Sequence, residues 1–179
     1  MRDPVERIEQ AEHSMMFLAT FSRSYYSFYA IWEHLDSLDE GAGYLFPFRS
    51  ICNALLGDAA LSWCKVFGSN AEGTHWKAAA LNKDDFRKQL FEQLGVTDAD
   101  FMTYWREIKR FRDEVIAHFN VKTFESNHAP SFDLAMESAA VAHRLLRLQF
   151  PETVNYKGPL CLHEYGRQVS NRIIERLLL

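Results

Sequence analysis

Apolar residues recur at the spacing of an α-helix along almost the whole chain, and residues that start and stop helices fall between those runs. Asp3-Pro4-Val5-Glu6 combines an N-cap, a proline at the first helical position and an acidic third residue, and opens a helix expected to run to about Ser37. Ile8, Met15, Leu18, Tyr25, Phe28, Trp32 and Leu35 then follow at helical spacing. After Gly41-Ala42-Gly43, Pro47 starts a second helix with Ile51, Leu55, Ala59, Ser62, Trp63 and Val66 on one broad face, ending before Gly68. Asn82-Lys83-Asp84-Asp85 caps a third helix that Gly95 stops, and Thr97-Asp98-Ala99-Asp100 caps a fourth that ends near His118. An alanine-rich fifth helix runs from near Pro130 to before Pro151, and a last one runs from about His163 to Leu177-Leu178-Leu179. These signals predict an all-α, single-domain bundle of five or six helices over residues 1–179, with its core at about 46–150 and no strand.

The length of 179 residues suits one domain, and 47% hydrophobic with 14% aromatic residues supply a sizeable core. The most apolar stretch, Met15 to Trp32, holds Arg23 and many Ser and Tyr, so no membrane span is expected. The amino terminus lacks the apolar centre of a secretory signal, and a cytoplasmic protein is the expectation. Cys52, Cys64 and Cys161 are odd in number and widely spaced, which predicts reduced, mostly buried thiols and neither a disulfide nor a metal site. The net charge of −4 excludes a protein that coats nucleic acid through bulk positive charge. The balance is uneven, because Val141 to Leu179 carries a local +3 and the remainder −7, which leaves room for a local anion site.

The fourth helix contains one residue that its pattern does not explain. At about 100° per residue, Phe101, Trp105, Ile108, Val115 and Phe119 fall within roughly 40° of one line, and Arg112 falls on the same line. A guanidinium cannot shed its charge, so on a buried stripe it needs a carboxylate, polar groups of a second subunit or a bound anion. Asp58 or another core acid would answer that demand structurally. A scissile phosphate would answer it functionally, since a planar, multi-donor Arg suits charge developing in a transition state. Six residues later comes His118, either a last-turn histidine favoured by the helix dipole and Glu114 or a general acid and base. On a regular helix the two would lie about 120° apart and roughly 9 Å along the axis, so a two-fold dimer packing this helix on its copy could join two Arg and two His in one cleft.

Other candidates carry plainer alternatives. Lys109 and Arg110 are either substrate contacts or solvated charges pairing with Asp113 and Glu114 at helical spacing. Asn120 and Lys122 follow His118 and could touch a substrate or simply form a polar loop. Two connections, Gly68 to Leu81 and Phe119 to Ala129, exceed what a bundle needs, and both could border a site or be surface loops pinned by Trp76 and Phe124. The tyrosines and phenylalanines of the first helix read as core, and Asp58 as a core acid partnering Tyr or Arg.

Arg112, the polar Asp113 and His118, with five residues between Arg and His, resemble the R-x4-6-H signature of HEPN domains. Trp63-Cys64-Lys65-Val66-Phe67-Gly68 and His75-Trp76-Lys77 look most like the abortive-infection, phage-defence side of that family. Arg7 and His13 share the same spacing, but Arg7 starts the first helix among acids, whereas Arg112 lies on an apolar stripe late in the bundle. The resemblance implies a metal-independent endoribonuclease that acts as a homodimer without a cofactor, with RNA as substrate and an antitoxin as a further partner. It implies Arg112 and His118 as catalytic residues, with Asp113, Lys109, Asn120 and Lys122 near the substrate. Asp113 stands where the family commonly has Asn or His, and its carboxylate could pair with Arg112 and mute it. That pairing would favour a noncatalytic module binding a nucleotide, an RNA end or a protein, or a purely structural dimer.

Overall fold

A computed structural model describes residues 4–37, 46–117 and 129–177. Among them there is no strand, and the helices are α1 (Pro4–Asp36), α2 (Phe46–Phe67), α3 (Trp76–Ala79), α4 (Lys83–Leu94), α5 (Asp98–Phe111), a π-helical turn (Arg112–Ala117), α6 (Asp133–Arg147) and α7 (Leu162–Leu177). Among the described residues the all-helical expectation therefore holds, but seven α-helices stand in place of five or six, because the connection after Gly68 closes one turn of its own at Trp76. None of the helices among the described residues is long and apolar enough to cross a membrane.

The 33-residue α1 packs against α2, α7, α6 and α3 and forms the axis of the bundle. Its Ala11, Met15, Leu18 and Phe21 join Trp63, Phe67, Phe101, Ile108, Phe132 and Leu146 in one apolar core. Two buried hydroxyls of α1 meet acceptors: Ser14 Oγ lies 2.7 Å from the carbonyls of both Gln10 and Thr74, and Ser22 Oγ donates to Leu162 O at 2.6 Å. Gly166 lets α7 lie close on α1, since a Cβ there would overlap the Tyr26 ring and Ser22 Oγ. Two residues that recur at helical spacing with the core positions are exposed: Trp32 stacks on Phe28 at the surface, and Ile51 faces outward. A helix of nine turns meets different neighbours along its length, so one line of spacing cannot stay buried throughout.

Both ends of α4 and the start of α5 match their sequence signals. Asn82 Oδ1 accepts from the backbone N–H groups of Asp84 and Asp85 at 3.1 Å, and Gly95 ends α4 in the left-handed region at φ 64°. Thr97 Oγ1 caps α5 through the Asp100 N–H at 3.2 Å. Replacing Asn82 by Ala should cost about 1 kcal/mol, because two orphan donors lose their acceptor. Urea unfolding monitored by circular dichroism checks this, and an unchanged midpoint would show that solvent serves those donors equally well.

The connection between α2 and α4 is anchored rather than loose. Trp76 is buried and stacks on Phe86 at 5.1 Å. His75 is buried, and its Nδ1 accepts from the Lys77 N–H at 3.1 Å. Burial pushes the His75 imidazole down to about 4, so it is held neutral as a cap rather than presented as a titrating group. Phe124, the other expected pin, lies outside the described residues.

Candidate functional site

Helix α5 presents Phe101, Ile108 and Phe111 to the core. Trp105, expected on the same stripe, is only half-buried, and its Nε1 donates to Phe67 O at 2.6 Å. The indole therefore sits at the margin of the core with its edge fixed to the end of α2. Val115 and Phe119 belong to a part of the stripe whose side chains lie outside the described residues.

At Arg112 the backbone leaves the α-helix. Its N–H reaches the carbonyls of both Ile108 and Lys109, and residues 112–117 continue with the wider π turn. The regular α-helical step consequently does not apply over residues 112–117, and the expected 120° offset to His118 lies outside the described residues. Such wide turns are uncommon and concentrate at functional sites, because they place one side chain where a regular helix would not.

Arg112 keeps 21% of its side chain exposed and pairs with Asp113, which is 45% exposed. Both Nε and Nη2 donate to Asp113 Oδ1, at 2.8 and 2.5 Å. The partner is thus the next residue in the chain, not Asp58. Asp58 is exposed on α2 and accepts from Ser24 Oγ at 2.5 Å, so the expected Tyr or Arg partner is corrected to a serine. Cys64, buried on α2, lies close enough to the same guanidinium to interact with it electrostatically. Burial opposes the charge on Arg112, but Asp113 and Cys64 outweigh that cost and hold its pKa above the usual value. Burial pushes the Cys64 thiol up to about 11, with Arg112 working against the shift, which leaves a protonated neighbour rather than a reactive thiolate.

Chemically, this is a guanidinium fixed in direction but incompletely consumed. Arg offers five N–H donors, and two converge here on one carboxylate oxygen. Capacity remains for an anion arriving from the exposed side. Lys109 does not pair with Asp113 as helical spacing suggested, because its Nζ lies over the Trp105 ring, 5.1 Å from the centroid. A surface cleft lined by Trp105, Arg106, Lys109, Arg110, Asp113 and Glu114 runs beside Arg112. His118, Asn120 and Lys122 lie outside the described residues. Cys64 and the fixed Trp105 are the neighbours that sequence reasoning missed. Their signal was the Trp63-Cys64-Lys65-Val66-Phe67 run, which α5 and the π turn meet from across the bundle.

Among the described residues no group of three or more His, Cys, Asp or Glu converges as a metal ligand set. All three cysteines are free, Cys52 and Cys64 buried and Cys161 exposed. Comparison with protein-family profiles, curated proteins and solved structures finds no match to this chain.

Proposed function

We propose that this chain is a metal-independent endoribonuclease of the HEPN type, a cytoplasmic toxin or phage-defence effector that works as a homodimer and can be held by an antitoxin. The observation that carries this reading is Arg112: a guanidinium beside the core, at the junction of α-helix and π turn, aimed by Asp113 and Cys64 and still partly open to solvent. In the reaction the ribose 2′-oxygen attacks the adjacent phosphorus, its proton passes to a base, and the bond from phosphorus to the 5′-oxygen breaks as that oxygen takes a proton. His118 of the two subunits supplies base and acid, and Arg112 stabilises the charge on the phosphorane-like transition state. The products are a 2′,3′-cyclic phosphate and a 5′-hydroxyl.

A second reading is a noncatalytic HEPN-like module that binds a nucleotide, an RNA end or a protein partner. The Arg112–Asp113 pair favours it, since a carboxylate held against the guanidinium competes with phosphate. Incubation of total RNA with purified protein in excess EDTA separates the two. The expected result is cleavage of single-stranded or loop RNA with cyclic or 3′-phosphate ends, lost in His118→Ala. Absence of cleavage across several RNA classes by a dimeric, helical wild type would favour the binding module.

A further inference from the structure

The cleft beside Arg112 has a composition that its role as a helix surface does not require. Arg106 and Arg110 are exposed, Lys109 is half-buried, and with Arg112 they place four cationic groups within seven residues of a chain whose net charge is −4. The Trp105 indole is part of the cleft's lining, held by its bond to Phe67 O. A fixed aromatic face among cations that can follow a phosphate backbone is the general arrangement for holding an unpaired nucleotide.

We infer that Trp105 is a stacking platform for one unpaired base of the RNA, with Arg106, Lys109 and Arg110 holding the flanking phosphates. This subsite rests on the reading of the chain as an RNA-acting protein and adds a positioning residue to it. Lys109 now occupies the vicinity of the ring face, and the magnitudes say that it yields. A cation–π contact at a partly exposed site contributes about 0.5–1 kcal/mol, whereas stacking of a base on an aromatic side chain contributes about 1–3 kcal/mol. The displaced ammonium then stays close enough to pair with a phosphate, so its charge is not wasted. Asp113 and Glu114 also line the cleft and repel phosphates there, which confines the strand to the Arg106–Arg110 side. A base paired within a duplex cannot offer its face, so the subsite selects unpaired RNA.

The test is binding rather than cleavage, which keeps it separate from the catalytic reading. A fluorescent 2′-O-methyl oligoribonucleotide without self-complementarity, which cannot undergo 2′-oxygen attack, is titrated against the dimer and followed by anisotropy. Trp105→Ala should weaken binding about 10-fold with an unchanged salt dependence, and a preformed duplex of the same oligonucleotide should bind more weakly and ignore the substitution. Arg110→Ala should instead lower the slope of log affinity against log salt by about 0.7. Trp105→Phe, which keeps a ring, should retain most of the affinity while losing the oligonucleotide-induced quenching of tryptophan fluorescence, and it serves if the alanine variant does not fold. Equal affinity of wild type and folded Trp105→Ala, equal quenching in Trp105→Phe, equal preference for duplex, or no binding by wild type would each overturn the subsite. Binding that depends on Trp105 without any RNA cleavage would leave the subsite standing and overturn only the nuclease.

Discussion

Arg112→Ala is expected to lower RNA cleavage by about 100-fold or more while leaving the helix content unchanged. In the proposed reaction the guanidinium would face charge that appears only in the transition state, where a missing donor is not replaced by water of equal strength, so the expected loss is large. The fold should tolerate the change. Asp113 is nearly half exposed, so its carboxylate is solvated once the partner is removed, and a pair of this exposure contributes on the order of 1 kcal/mol or less to stability. Arg112→Lys should rescue poorly, since a point charge cannot satisfy Asp113 and a phosphate through separate edges as the planar fork can. Asp113→Asn gives the complementary result. It keeps an acceptor for the guanidinium but removes the competing charge, so cleavage should be retained or raised. Initial rates on a defined single-stranded RNA check all three, with the oligomeric state and helicity of each variant measured alongside. If Arg112→Ala cleaves like wild type, the guanidinium is a structural partner of Asp113 and nothing more.

Local chemistry made much of this molecule readable from its letters. Asn82, Gly95 and Thr97 act within a few residues of themselves, and each ends or starts a helix where its side chain says it should. The demand for a partner at Arg112 was legible for the same reason, because an isolated cation on an apolar stripe violates a local rule. Asp113 and Asp58 were both legible as partners, and the choice between them was not. It depends on the backbone leaving the α-helix at Arg112, and no propensity in Arg-Asp-Glu-Val-Ile-Ala marks a π turn. The half-burial of Trp105 was equally hidden: its spacing places it on the core face, but a carbonyl at the end of α2 is what holds the indole edge there. Cys64 reads as an ordinary buried thiol until the fold sets it against a guanidinium on another helix. His118, Asn120 and Lys122 carry the rest of the sequence-level expectation, and they lie outside the described residues.

The largest stability effect is expected at Trp63, the bulkiest of the fully buried side chains. Its ring stacks on Phe67 at 4.9 Å and meets Phe101 and Tyr104 at 6.3 and 6.2 Å, so one side chain joins α2 to α5. Its Nε1 donates to Ser138 Oγ at 3.0 Å and adds α6 to the same contact. Trp63→Ala should therefore cost about 3–5 kcal/mol, a large share of what a domain of this size possesses. The cavity dominates that figure, because Ser138 Oγ keeps its bond to Ala135 O at 2.9 Å and is not left unpaired as a donor. Trp63→Phe should cost less than Trp63→Ala, since most of the volume stays filled. Denaturant unfolding reads the difference as a lower midpoint with an unchanged slope. The consequence reaches the site through the next residue: Cys64 rides on the same turn of α2 against Arg112, so loosening that turn loosens the guanidinium's seat. Trp63→Phe, still folded, should then cleave RNA more slowly than wild type at equal folded fraction. A midpoint for Trp63→Ala within about 1 kcal/mol of wild type would mean that α2, α5 and α6 are held together by something other than this indole.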